Sequence, residues 1–266
     1  MTSVDLSTLV ARLRAAGCVF AEDEARVLVQ SAPDAGTLAA MTARRVDGEP
    51  LEQVVGWAQF AGHRVPVAPG VFVPRRRSEL VVRAAVTAGG AVSTGPVLVD
   101  LCCGSGAIGV AVARALPGSR LWSCDLDPAA VDCARRSIAE AGVDGRVLLG
   151  DLGQALPSTL AGRVDVLTVN APYVPTEEIA LMPAEARDHE PALALDGGAD
   201  GLVLHRRVAA VAPRWLRPGG TLVIETSQRQ AERTAAACTA AGLLPRVVRD
   251  PELDATAVVA VRPRAA

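Results

Sequence analysis

The only tyrosine in this chain closes the tetrapeptide Asn170-Ala171-Pro172-Tyr173, which follows the apolar, strand-like run Val164-Asp165-Val166-Leu167-Thr168-Val169. These residue types can hold a planar nitrogen. An amide nitrogen is a poor nucleophile because its lone pair is delocalised into the carbonyl. Two acceptors bonding its two N–H groups would orient it and stabilise positive charge as it develops. The side-chain oxygen of Asn170 and the backbone carbonyl of Ala171 suit that task. Pro172 locks φ and restrains the residue before it, and Tyr173 can stack on the flat amide. Taken alone, the tetrapeptide also reads as an Asn-x-Pro turn with a packed Tyr.

A second constellation lies upstream. The glycine turn Asp100-Leu101-Cys102-Cys103-Gly104-Ser105-Gly106 joins an apolar run at 97–101 to a helical stretch at 107–116. Glycine lets the backbone take positive φ and lets a ligand approach closely, and a helix N-terminus offers unpaired N–H groups. Asp125 stands 21 residues past Gly104, at the end of the next apolar run, where an acid can accept both ribose hydroxyls of a nucleoside. Gly104, Gly106 and Gly109 also satisfy the dinucleotide pattern. Asp100 suits an ammonium rather than a pyrophosphate. Asp151-Leu152, after a strand at 146–149, can bond an adenine amino group and cover its ring. Both features favour S-adenosylmethionine over NAD. Methyl transfer from a sulfonium is an in-line displacement, so the protein must mainly position the nucleophile and exclude water.

Other candidates lack partners. His189-Glu190 has the residue types of an acid/base pair, but neither a nucleophile nor a metal set accompanies it. Arg75-Arg76-Arg77 reads as a solvated helix start more readily than as a phosphate or substrate clamp. His63, His205 and Ser105 have no catalytic constellation around them.

The elements that must position these residues alternate. Candidate strands fall at 97–101, 120–124, 146–149, 164–169, 220–225, 245–249 and 256–262. Helical stretches fall at 107–116, 128–141, 200–216 and 228–241. Such alternation implies parallel strands with crossover helices, hence an open doubly wound α/β sheet. The last two strands, separated by Asp250-Pro251-Glu252-Leu253-Asp254, are close enough for an antiparallel edge pair. Upstream, residues 4 to 45 read as short amphipathic helices. Val4, Leu6, Leu9, Val10 and Leu13 recur at helical spacing, and further helices run over Glu22–Gln30 and Thr37–Arg45. Residues 54 to 73 read as short strands broken by turn residues, a β-hairpin linker. The expected organisation is a small helical domain over 1–50, a hairpin linker over 51–74 and a cofactor-binding domain over 75–266.

Composition sets the outer bounds. Half of the 266 residues are hydrophobic and 21% are charged, which permits a sizeable core. The formal net charge is −2, with seven aromatic residues, against a protein that lives on nucleic acid. Arginine supplies all 27 basic residues, so lysine Schiff-base and lysine general-base mechanisms are excluded. The six cysteines show no Cys-x-x-Cys pair and no histidine at metal-ligand spacing, so no metal site is expected and reduced core thiols are. Asp5, Arg12 and Arg14 interrupt the N-terminal apolar pattern, which does not read as a signal peptide. No uncharged apolar run approaches the ~18 residues of a membrane span. The expectation is a cytoplasmic protein without membrane contact.

The ordered motifs resemble the protein-(glutamine-N5) methyltransferases that modify peptide release factors. The similarity runs from about Pro50 to the end. It includes Pro50-Leu51-Glu52-Gln53-Val54-Val55-Gly56, Pro69-Gly70-Val71-Phe72-Val73-Pro74-Arg75, the Asp100–Gly106 turn and Asn170-Ala171-Pro172-Tyr173-Val174-Pro175. It continues through His189-Glu190-Pro191-Ala192-Leu193-Ala194-Leu195, Asp196-Gly197-Gly198-Ala199-Asp200-Gly201 and Leu216-Arg217-Pro218-Gly219-Gly220. The resemblance implies a class I methyltransferase, Rossmann-like fold whose seven-stranded sheet has its last strand antiparallel. It implies S-adenosylmethionine as cofactor, S-adenosylhomocysteine as product and a glutamine-bearing, release-factor-like protein as partner. Carried over by position, Asp100, Cys102, Cys103, Gly104, Ser105, Gly106, Asp125, Asp151, Leu152 and Asn170 face the cofactor. Asn170, Ala171, Pro172 and Tyr173 carry the chemistry, with Phe72 and Arg75 beside the substrate.

Three stretches depart from the family pattern. Ala171 replaces the first proline of Asn-Pro-Pro-Tyr, at a position that serves through its carbonyl. Cys102-Cys103 replace the opening of Gly-Thr-Gly-Ser-Gly, and Arg75-Arg76-Arg77-Ser78-Glu79 keeps only the outer Arg and Glu of its segment. The chain is closer to a side branch of the family, with Glu225-Thr226-Ser227 and Glu252-Leu253-Asp254-Ala255-Thr256. Competing readings are an N-methyltransferase of a small amide, guanidine or amine, a nucleic-acid base methyltransferase, and a cofactor-binding regulator without turnover.

Overall fold

The computed structural model describes residues 6–92 and 95–264. Val4 and Asp5, which the sequence places at the head of the first helix, lie outside the described residues.

Three helices, α1 (Leu6–Ala15), α2 (Ala21–Ser31) and α3 (Ala35–Val46), open the chain. Asp34 caps α3, its carboxylate accepting from the Thr37 N–H at 2.7 Å. Leu9, Leu13, Leu28, Leu38 and Met41 from these helices share a small core with Val54. Val54 comes from α4 (Leu51–Val55), a single turn where the sequence suggested strand. The helix starts behind Pro50 and ends at Gly56, which takes φ +82°. Five residues are too few for a period to show. The hairpin follows as β1 (Trp57–Phe60) and β2 (His63–Pro66), paired antiparallel. Val71-Phe72-Val73, also expected as strand, is irregular and passes into a 3-10 turn at Arg76–Ser78 and α5 (Glu79–Gly89).

The alternating part then runs through β3 (Val97–Leu101), α6 (Ala107–Ala115), β4 (Arg120–Asp125), α7 (Pro128–Ala141), β5 (Gly145–Leu149) and β6 (Val164–Val169). Two short helices, α8 (Ala184–His189) and α9 (Ala192–Leu195), precede α10 (Val203–Trp215), β7 (Leu216–Thr226), α11 (Ala231–Ala240), β8 (Leu244–Asp250) and β9 (Ala255–Val261). The seven strands order as β5-β4-β3-β6-β7-β9-β8. Pairing is parallel from β5 to β7, while β9 runs antiparallel to both β7 and β8. The expected antiparallel pair thus closes the sheet, with the last strand on its inner side.

Every residue of β3 and β6 is buried, as expected of central parallel strands covered on both faces. Period-two alternation divides their apolar side chains between two cores. Leu98, Leu121, Val166 and Val223 pack beneath α5, α6 and α7. Val99, Leu101, Val169, Leu222 and Ile224 pack beneath α10 and α11. Asp165, inside β6, is satisfied by the Val97 N–H at 2.8 Å and by Arg217. Among the described residues, no helix is long and apolar enough to cross a membrane.

Strand order reverses between β3 and β6. In open α/β sheets that reversal parts the loops beyond the strands' carboxyl ends and leaves a crevice there.

Candidate active site

That crevice is a cavity of about 410 Å³. Its walls come from the ends of β3, β4, β5 and β6, from the Phe72–Ser78 segment and from the chain between β6 and α10. All the sequence-predicted site residues line it except Gly106. Gly106 instead heads α6, where a Cβ would sit 3.1 Å from that of Ala134 on α7.

At one end, Gly104 takes φ +54° and a Cβ there would meet nothing within 4 Å, so this backbone is open to the cavity. Asp125 pins the turn. Its Oδ2 accepts from the Gly104 N–H at 2.8 Å and its Oδ1 from the Asp127 N–H at 3.0 Å. Each carboxylate oxygen retains a further lone pair for a ligand hydroxyl. Burial raises the Asp125 carboxyl above its ordinary range, and the two backbone N–H groups oppose that rise. Asp151 lies beyond, paired with Arg207 at 2.6 Å. Asp100 is 1% exposed and committed to the scaffold, accepting from the Thr168 hydroxyl at 2.7 Å and the Gly109 N–H at 3.0 Å. Burial pushes its carboxyl up to about 7. Cys102 holds φ +54° without being glycine. Burial pushes the thiols of Cys102 and Cys103 up, so both stay protonated.

An open glycine turn at a helix start, with carboxylates at two successive strand ends, fits a nucleoside that carries positive charge. S-adenosylmethionine has both parts. Gly104 and the α6 N-terminus would lie along its backbone side, with Asp125 at the ribose and Asp151 and Leu152 at the base.

At the other end stands the 170–173 tetrapeptide. Asn170 donates from Nδ2 to Ser78 Oγ at 3.2 Å, which leaves Oδ1 without a protein partner among the described residues. Among the described residues, no backbone N–H reaches the carbonyl of Ala171. Asn170 and Ala171 both line the cavity, each with an acceptor unclaimed among the described residues. Tyr173 donates its hydroxyl to Glu225 Oε1 at 3.2 Å. Burial, then the Glu225 charge, hold the phenol well above its ordinary range, so it remains a neutral donor.

Two arginine–glutamate pairs frame this end. Arg75 donates to Glu190 Oε1 at 2.6 Å and stacks over Phe72, 5.2 Å from its ring centre. Arg77 Nε donates to Glu225 Oε1 at 3.3 Å, with its guanidinium 5.9 Å from the Tyr173 ring centre. Glu190 also accepts from the Val73 N–H at 3.1 Å, which makes it a strut rather than half of an acid/base pair with His189.

Sequence reasoning assigned no role to Ser78, Glu225 or Gln230. Ser78 and Glu225 were visible within unusual segments, but their partners lie far along the chain. The signal was position at the end of an element, not pattern.

Residues 69–186 match the family model described as the methyltransferase small domain. The release factor glutamine methyltransferase of Streptomyces coelicolor is 44% identical over 191 residues, covering 71% of this chain and 67% of the relative. A 4-amino-L-phenylalanine/4-methylamino-L-phenylalanine methyltransferase of Streptomyces pristinaespiralis is 37% identical over 223 residues, covering 82% and 75%. Among solved structures, a methyltransferase from Pyrococcus furiosus superposes with a TM-score of 0.57 at 14% identity, over 85% of this chain and 99% of that one. That last likeness concerns the fold.

Proposed function

This chain belongs to the protein-(glutamine-N5) methyltransferase family, and we propose that its acceptor is the side-chain amide of a glutamine in a release-factor-like protein. It is an S-adenosylmethionine-dependent methyltransferase. The cofactor, when bound, supplies an electrophilic methyl group on its sulfonium.

The observation that carries the reading is the Asn170 amide, held by Ser78 with its oxygen unclaimed beside the unclaimed carbonyl of Ala171. A primary amide presents two N–H donors in one plane, and two fixed acceptors match it. Bonding to both N–H groups turns the nitrogen's face toward the incoming methyl group and stabilises the charge that grows on nitrogen. Pro172 stiffens the turn. Tyr173 walls the acceptor and helps exclude water. After transfer the amide nitrogen loses a proton to solvent, so no buried base is required. Six free cysteines fit a reducing compartment, and we place the protein in the cytoplasm.

A second reading has its own support. The Streptomyces pristinaespiralis relative acts on a small aromatic amine and aligns with more of this chain than the release-factor enzyme of Streptomyces coelicolor does. An arylamine also has two N–H groups and a flat ring. Incubation with methyl-labelled cofactor and either an unmodified release factor or 4-amino-L-phenylalanine separates the two. Label in the protein supports the first reading, and label in the amine alone replaces it with the second.

A further inference from the structure

Tyr173 is gripped from several sides. Its hydroxyl meets Glu225 Oε1 at 3.2 Å. Its backbone carbonyl accepts from Gln230 Nε2 at 2.9 Å. That amide is itself oriented, since its oxygen accepts from Ser227 Oγ at 2.6 Å and its nitrogen also reaches the Asp200 carbonyl at 3.2 Å. The Asp196–Gly201 loop presses against the same residue. A Cβ on Gly201, which holds φ +70°, would lie 2.3 Å from the Tyr173 carbonyl oxygen and 2.2 Å from Gln230 Nε2. His205 stands behind, its ring tilted 55° to that of Tyr173 at 6.2 Å.

Glu225 is costly to the fold. Its side chain is 4% exposed, and Oε2 has no partner among the described residues. Burying a carboxylate is unfavourable unless its partners repay the lost hydration. The pairing of β7 with β9 runs through backbone groups and asks nothing of this side chain. Among the described residues, its side chain hydrogen-bonds Tyr173 and Arg77, both in the cavity wall.

We propose that Glu225 and Gln230 are positioning residues of the acceptor subsite, fixing Tyr173 at its hydroxyl and at its backbone carbonyl. The proposal rests on the reading that Tyr173 walls that subsite. Pro172 sets the backbone before the tyrosine, but the ring would still be free to turn about its own side-chain bonds. Glu225 removes that freedom, and Gln230 ties the turn to the head of α11. A wall that holds its place keeps the acceptor nitrogen in line with the methyl group, and a misplacement of about 1 Å can cost on the order of 100-fold in rate.

The single tyrosine provides a probe independent of any acceptor. Tyrosine labelled with 13C at Cζ alone gives one ring signal in the full-length protein, recorded for wild type, Glu225→Ala, Glu225→Gln and Gln230→Ala. Both alanine variants are expected to shift or broaden that signal and to lower kcat about 10-fold or more, with calorimetric cofactor affinity within two-fold of wild type. Glu225→Gln keeps an acceptor for the phenol and is expected to restore the signal and most of the rate. Should Glu225→Ala fail to fold, Glu225→Gln and Gln230→Ala still decide. A signal identical to wild type in the alanine variants, or an altered signal with unchanged transfer, would overturn the proposal. If wild type transfers no methyl group to either proposed acceptor, the acceptor assignment falls, while the ring signal still reports whether these residues hold Tyr173.

Discussion

Asn170 and Ser78, 92 residues apart in the chain, meet through a 3.2 Å hydrogen bond from the Asn170 Nδ2 to the serine hydroxyl. In this arrangement the asparagine amide turns its nitrogen toward Ser78. With nitrogen on Ser78, the oxygen is the atom offered to the cavity. Ser78 is 1% exposed, at the junction of the 3-10 turn and α5, so it is a stable anchor.

The first prediction concerns that anchor. Ser78→Ala frees the Asn170 amide to present its nitrogen, and kcat should fall about 10-fold with little change in cofactor affinity. Ser78→Thr keeps the hydroxyl and should retain most of the rate. Steady-state kinetics on the two variants would settle the point. Equal rates in wild type and Ser78→Ala would show that the bond does not orient Asn170.

The second concerns the cofactor end. Asp125 braces Gly104 and, in the proposed reading, would accept from a ribose, so Asp125→Ala would lose two functions at once. Calorimetric affinity for S-adenosylmethionine should weaken at least about tenfold, the scale of a lost charge-assisted hydrogen bond. An unchanged affinity would move the ribose elsewhere.

Asp100 gives a pH dependence. Its native carboxyl titrates near 7 against an ordinary value of 3.8, raised by burial. Between those values the native state keeps a proton that the unfolded chain has released, so this group's contribution falls as pH rises and is lost above about 7. Asp100→Asn is neutral throughout, and its amide can accept from Gly109 and donate to Thr168. Thermal unfolding at pH 5 and pH 8 should show wild type losing ground to the variant at the higher pH. A gap that ignores pH would contradict this account.

Cys102 is the fourth test. A side chain held at positive φ costs roughly 1 kcal/mol or more, and Cys102 sits at φ +54° beside the glycine turn. Cys102→Gly should raise the urea midpoint by the equivalent of up to about 1 kcal/mol. Loss of stability would mean that the thiol's packing outweighs the strain.

Much of this arrangement was legible in the sequence, for physical reasons. Central parallel strands must be apolar along their length, so β3 and β6 could be read directly, and α7 was bounded by Pro128 and Gly142. The glycine turn and the tetrapeptide follow strands and could be placed at their carboxyl ends. Short elements were not legible. Val54-Val55 resemble strand residues, yet Pro50 and Gly56 confine them to one helical turn. β7 begins at Leu216 rather than near residue 220, because the Pro218-Gly219 step is carried as an irregularity in its register with β6. Prolines 172, 175, 183 and 191 cut the segment over the cavity into pieces without a period. The roles of Ser78, Glu225 and Gln230 were hidden for another reason. Their partners are 92, 52 and 57 residues away, and no local pattern encodes such a meeting.

The most direct test is peptide mass spectrometry of an unmodified release factor after incubation with the enzyme and S-adenosylmethionine, with the Asn170→Ala variant run in parallel. The account predicts one added methyl group on a single glutamine of the release factor with wild type and none with the variant, whose fold stays intact. Equal methylation by both proteins would contradict the role given to Asn170. An unmethylated glutamine, with cofactor binding verified, would contradict the acceptor.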